Sequence, residues 1–160
     1  MSDRYRKGAH TIYDIKYHFV WKTKYNYAVL KGEVALRTRQ IIREICEGRA
    51  LKIVSGNVRA NHVHLLVSCT TDMAASRIVQ HLKGKSSFRL QREFRELQKK
   101  YWGQHLWARG YFCATVGAVN EEMIKQYVEN QAEDEGEFKI WDLELQTAAK
   151  GLQPDRHPVE

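Results

Sequence analysis

From Thr11 to Trp21 the odd positions Tyr13, Ile15, Tyr17, Phe19 and Trp21 are apolar or aromatic, with Asp14, Lys16 and His18 among the residues between them. Alternation with a period of two predicts a β-strand with one buried face. From Gly32 to Gly48 the period changes: Val34, Ile41, Ile42 and Ile45 fall at helical spacing, which predicts an amphipathic helix ending near Gly48. Residues 51–59 predict a second strand, anchored by Leu51 and Ile53, and the apolar run after Asn61 predicts a third that pairs with it. Thr70 to Asp72 marks a turn. Ala74 to Leu82 is helical in pattern, Lys83-Gly84-Lys85-Ser86-Ser87 interrupts it, and a further helix is expected from about Ser86 to Tyr101. A short strand follows from Tyr111 to Gly117. Asn120 is then the expected N-cap of a last helix reaching about Ala132, with Glu121 and Glu122 placed where the helix dipole favours them.

The resulting order, β-α-β-β-α-β and then a helix, is the split βαβ arrangement of α+β, ferredoxin-like (RRM-like) domains: one sheet, helices on one face. The chain of 160 residues is long enough for one such domain with its own core. Beyond Asp134 the composition changes. We expect a domain over 1–134 and a C-terminal extension over 135–160, whose end carries both prolines and is expected to be partly disordered. No apolar run approaches the roughly 20 residues that cross a bilayer, and no apolar stretch follows the basic N-terminal residues as a secretory signal would require. The three cysteines are widely spaced and form no Cys-x-x-Cys, so a reducing cytoplasm is expected and a thiolate zinc site is not. The net charge of +7 points to a polyanionic partner, nucleic acid before others.

The third strand begins His62-Val63-His64. Side chains at i and i+2 leave the same face of a strand, with Cα atoms roughly 6.5–7 Å apart. Two imidazoles so placed can grip one divalent ion. Taken alone, the pair is more simply read as hydrogen-bonded sheet histidines, because a metal site needs a third ligand that this segment lacks.

Gly84-Lys85-Ser86 resembles the end of a phosphate-binding loop, but the required earlier glycine is replaced by Val79, so nucleotide hydrolysis is set aside. Lys83, Lys85 and Arg89, with Arg92, remain a basic cluster suited either to solvent or to a DNA backbone. Arg109-Gly110-Tyr111-Phe112 matches only part of the motif that presents stacking aromatics to RNA. In the last helix Tyr127 and Gln131 are spaced i, i+4 and share a face. A neutral oxygen donor beside a tyrosine would complete a His-x-His site, and two imidazoles with a hard oxygen favour Mg²⁺ or Mn²⁺.

These segments together resemble the single-tyrosine HUH transposases of the smallest bacterial insertion sequences. The resemblance runs from about Tyr13 to Gln131. It is carried by Lys16-Tyr17-His18-Phe19-Val20-Trp21, His62-Val63-His64, Leu82-Lys83-Gly84-Lys85-Ser86-Ser87, Trp107-Ala108-Arg109-Gly110-Tyr111-Phe112, Thr115-Val116-Gly117 and Gln126-Tyr127-Val128-Glu129-Asn130-Gln131. It implies a metal-dependent enzyme that cleaves and rejoins single-stranded DNA through a 5′-phosphotyrosine on Tyr127, with His62, His64 and Gln131 as ligands of the ion. It further implies recognition of DNA hairpins and a homodimer with shared sites, active at the nucleoid. Asn61 departs from the family pattern, which commonly has aspartate there. The alternative is a non-catalytic or domesticated hairpin-binding protein of the same fold; an RNA-binding ferredoxin-like domain would leave the histidine pair unexplained.

Overall fold

The computed structural model describes residues 4–102, 105–117 and 120–130. A short ribbon pairs β1 (Arg6–Lys7) with β2 (Ile12–Tyr13). The main sheet is built from β3 (Ile15–Lys22), β4 (Lys52–Val58), β5 (His62–Cys69) and β6 (Phe112–Thr115), in the order β4-β5-β3-β6 with every pair antiparallel. Helices α1 (Gly32–Glu47) and α2 (Ala75–Glu93) connect the strands, a short α3 (Arg95–Lys100) follows α2, and α4 (Glu121–Asn130) comes last. This is the ferredoxin-like arrangement expected from the sequence.

Period two decides what each face of the sheet does. Phe19 and Trp21 of β3 and Val63, Leu65 and Val67 of β5 join Ile41, Ile45, Ile78, Leu82 and Leu90 of α1 and α2 in one apolar core. Trp21 meets Trp107 edge to face, with ring centroids 6.0 Å apart, a favoured aromatic geometry. The intervening residues, His18 and Val20 on β3 and His62, His64 and Leu66 on β5, belong to the opposite face. There α4 packs against β4 and β5. Leu66 and Val128 are each fully buried.

Two tethers fix α4 to that face. Asn57 Nδ2 donates to the Val128 carbonyl at 3.2 Å. Lys16, whose side chain is only 5% exposed, donates from Nζ to Asp14 Oδ1 at 2.6 Å and to Glu121 Oε2 at 3.0 Å. Arg4 Nε donates to the other Asp14 oxygen at 2.7 Å. Burial alone would raise the Asp14 carboxyl, but the hydrogen bonds and charges of Lys16 and Arg4 hold it below its ordinary 3.8.

Three local expectations differ from what is found. The first strand is divided at Asp14, where the carboxylate gathers Arg4 and Lys16 and the chain passes from the ribbon into the main sheet. The break expected at residues 83–87 is absent, and α2 runs unbroken through Gly84 to Glu93. A glycine in a helix costs roughly 1 kcal/mol, less than the packing of Ile78, Val79, Leu82 and Leu90 along that one helix secures. Ser86 is compatible with the helix because its hydroxyl donates to the Leu82 carbonyl one turn back. The chain leaves the helix instead at Phe94, which is extended (φ −116°, ψ 102°). Ile53, expected as an anchor, is 38% exposed on the edge strand β4, beside a register shift between Ile53 and Ser55, while Leu51 is buried. Residues 131–160, including the predicted extension over 135–160, lie outside the described residues.

A Cβ added at Gly84 meets nothing within 4 Å. Gly84→Ala is therefore expected to stabilise the fold by about 0.5–1 kcal/mol in urea unfolding; a loss of stability would mean that the glycine serves a break after all. Asp14→Asn is expected to cost about 2 kcal/mol at neutral pH, as loss of charge-assisted hydrogen bonds does. Because the folded carboxyl titrates below its ordinary value, its contribution is complete above about pH 4–5 and fades as the pH falls further. Unfolding curves of the two proteins should converge in acid; a difference that grows on acidification would contradict this.

Candidate active site

His62 and His64 begin β5, opposite Lys22 and Val20 of β3. Their rings leave the α4 face together, centroids 4.9 Å apart and planes at 74°. A third histidine joins them: His18 Nε2 lies 3.4 Å from His64 Nδ1, and the two rings stack at 5.7 Å. Phe112 of β6 closes the group, edge-on to His18 at 5.8 Å. Phe112 therefore packs against this histidine cluster, while Tyr111 beside it is 43% exposed.

All three imidazoles are held neutral at physiological pH. Burial lowers His18 to about 4. Burial, with the positive charges of Arg59 and Lys22, lowers His62 to about 4. Burial, with His62, His18 and Arg59, takes His64 down to about 2. A neutral imidazole offers a ring-nitrogen lone pair, and that is the form in which histidine ligates a metal. His62 and His64 thus set two neutral imidazoles side by side, in the protonation state in which histidine can ligate a cation. Among the described residues no group of three or more His, Cys, Asp or Glu side chains converges as a metal site.

Tyr127 lies in α4, one residue before Val128. The carbonyl of Val128 accepts from Asn57, and Asn57 is the β4 residue directly opposite His64 in the sheet. One hydrogen bond and one strand pairing thus connect the tyrosine-bearing helix to the histidine strand within a single chain. Gln131 lies outside the described residues.

The basic cluster is more varied than the sequence suggested. Lys83 Nζ donates to the carbonyls of Ala108, Arg109 and Gly110 at 2.7, 3.0 and 3.1 Å. It clasps that loop to α2, and burial lowers its pKa. Arg89 pairs with Glu44 of α1 at 2.6 Å. Lys85 is exposed. Beside these residues a cavity of about 500 Å³ opens between α2 and residues 105–109, lined by Phe88, Gln91, Arg92 and Arg109 among others. The Arg92 guanidinium stands 5.1 Å from the exposed Phe88 ring. None of the three histidines lines this cavity; they lie on the other face of the sheet, with α4.

Sequence reasoning gave no role to His18, although its even position in the alternating strand was the signal that it shares the face of His62 and His64. It also gave none to Asn57, whose partner is 71 residues away.

The comparisons with known proteins bear on the family and the fold. Residues 11–131 match the family model described as "Transposase IS200 like". The ISDra2 transposase TnpA of Deinococcus radiodurans is 36% identical over 130 residues, covering 81% of this chain and 93% of that protein. The transposase for insertion sequence element IS200 of Salmonella typhimurium is 35% identical over 127 residues, covering 79% and 83%. Among solved structures, a Deinococcus radiodurans R1 protein assigned as a transposase aligns with a TM-score of 0.66 at 36% identity, over 79% of this chain and 97% of that one. A REP-associated tyrosine transposase bound to a REP hairpin aligns with a TM-score of 0.59 over 96% and 89%; at 15% identity it speaks for the fold alone. The chain belongs to the IS200-like transposase family.

Proposed function

We propose that this transposase cleaves and rejoins single-stranded DNA at the ends of an insertion sequence, with Tyr127 as nucleophile. The observation that supports the reading is the Asn57–Val128 hydrogen bond, which ties the helix carrying Tyr127 to the β4 residue paired with His64. In the cleavage step the tyrosine oxygen attacks phosphorus in line. A P–O bond to tyrosine forms, the P–O3′ bond breaks, and the phenolic proton is balanced by the proton that the departing 3′ oxygen acquires. The products are a 5′-phosphotyrosine and a free 3′-OH. The phosphodiester energy is conserved, so the reverse attack can join a new strand without a nucleotide cofactor.

His62, His64 and Gln131 would hold a divalent cation, Mg²⁺ or Mn²⁺; their fit rests on two neutral imidazoles sharing one face 4.9 Å apart. Bound there, the cation supplies positive charge to the scissile phosphate. The residues themselves do the positioning. α4 carries the tyrosine, Asn57 and Lys16 fix α4, and His18 supports the His64 ring. A free tyrosine has a pKa near 10, so orientation and local positive charge are what make it reactive at neutral pH.

The substrate we infer is a hairpin-bearing single strand. Its backbone would cross the basic surface of α2, where exposed Lys85 offers charge directly while Lys83 and Arg89 shape the surface through the 108–110 loop and α1. Two element ends need two tyrosines, so the working unit is read as a homodimer with shared sites. An exchange of α4 between protomers would break the Lys16–Glu121 and Asn57–Val128 bonds and remake them in the partner. Residues 1–134 form the transposase domain in this reading and 135–160 an extension. Among the described residues no helix is long and apolar enough to cross a membrane.

The test is incubation with a hairpin-bearing single strand and Mg²⁺, followed by denaturing electrophoresis. The native protein is expected to give a metal-dependent covalent band. Tyr127→Phe should reduce it at least 1,000-fold, about 4 kcal/mol of barrier, while still shifting the hairpin in a native gel. A full-strength adduct from Tyr127→Phe, or no adduct from the native protein, would overturn the proposal. In the second case, retained hairpin binding would favour the non-catalytic alternative.

A further inference from the structure

Asn61 stands between two side chains. Its Nδ2 donates to Asn26 Oδ1 at 3.1 Å, and its Oδ1 lies 2.6 Å from His62 Nδ1. An amide oxygen only accepts, so the proton in the second contact belongs to His62 Nδ1 and Nε2 is the unprotonated ring nitrogen. A carboxamide turned over by half a rotation would present Nδ2 instead and require the opposite tautomer. Asn61 alone could do either. In the pairing found here Asn26 presents its oxygen, which takes a donor from Asn61 and leaves Asn61 Oδ1 facing His62.

The turn that carries Asn26 is unusual in a way that supports this role. Tyr25 (φ 61°) and Asn26 (φ 59°) are consecutive non-glycine residues in the left-handed region, which asparagine tolerates and tyrosine does not favour. Such a conformation persists where its surroundings over-determine it. Here Thr23, 1% exposed, donates its backbone N–H and its hydroxyl to the Asn61 carbonyl at 2.9 and 3.2 Å, and the hydroxyl also reaches the Tyr27 carbonyl at 2.7 Å. Leu30 N–H donates to the Ala60 carbonyl at 2.8 Å. The segment from Thr23 to Leu30 that contains the turn is thus bonded at its two ends to the two residues that precede His62.

We propose that Asn26 and Asn61 form a two-residue relay that positions His62, fixing its Nδ1–H tautomer and ring orientation so that the Nε2 lone pair is presented to the cation site. The relay rests on the reading of His62 as a metal ligand. Asn26 and Asn61 are positioning residues, acting through the ring and touching neither phosphate nor ion. Outer partners of this kind set ligand geometry, and their loss typically weakens metal binding about 10- to 100-fold.

The test is ¹⁵N NMR of the histidine side chains in the metal-free protein at neutral pH, paired with Mn²⁺ titration followed by water proton relaxation. Asn26→Gly keeps a backbone suited to the left-handed turn and removes the side chain, and Asn26→Asp keeps an acceptor only. Native protein and Asn26→Asp are expected to show the Nδ1–H form of His62. Asn26→Gly, confirmed folded by its thermal melt, is expected to show both tautomers and to bind Mn²⁺ about tenfold more weakly. An Nε2–H His62 in the native protein would overturn the relay without needing any variant. So would an Asn26→Gly protein unchanged in either readout. If the native protein binds no Mn²⁺, the ligand reading of His62 fails, and the tautomer populations alone still decide the relay.

Discussion

Eight consecutive residue pairs, from Ile15–Cys69 to Lys22–His62, join β3 to β5 at the centre of the sheet. The rest of the structure depends on that register. It sends Phe19, Trp21, Val63, Leu65 and Val67 to the side covered by α1 and α2, and His18, His62 and His64 to the side crossed by α4. A slip of one residue in β5 would turn that strand over, placing His62 and His64 in the apolar core and Val63 at the site. The cost of that exchange is what makes the histidine cluster a fixed feature of the fold.

Electrostatics then gives the cluster its character. The chain carries a formal charge of +7, which suits it to DNA, yet the histidines at its centre stay neutral because they are buried, with Arg59 adding to the effect at His62 and His64. Some of the basic residues elsewhere are occupied within the fold: Lys16 with Asp14 and Glu121, Arg37 with Glu93, Arg89 with Glu44, and Lys83 with three carbonyls. The Lys16 bridge has the widest consequence, since it links the start of the sheet to the first turn of the helix that carries Tyr127.

Much of this was legible in the sequence, because hydrophobic alternation over residues 13–21 and the apolar run after His62 report burial directly. The element order followed, and with it the ferredoxin-like fold. The continuity of α2 was not legible: Gly84 is a weak helix former, and the packing that overrides it joins residues distant in sequence. The site was legible in part. The spacing of His62 and His64 put both rings on one face, as found, whereas the roles of Tyr127 and Gln131 rest on the family resemblance; Tyr127 lies in α4 and Gln131 outside the described residues. His18 acquires meaning only through its pairing across the sheet, and Asn26 only through a left-handed turn that no local signal announces. Residue spacing reports which side chains share a face more readily than the hydrogen bonds that orient them.

The central claim is that the oxygen of Tyr127 takes up the DNA phosphate. The most direct measurement is mass spectrometry of the covalent protein–DNA species after digestion with protease and nuclease, which locates the residual nucleotide on one side chain. A 5′-linked nucleotide on Tyr127 is predicted. A nucleotide on any other residue, or one linked through its 3′ end, would contradict the account.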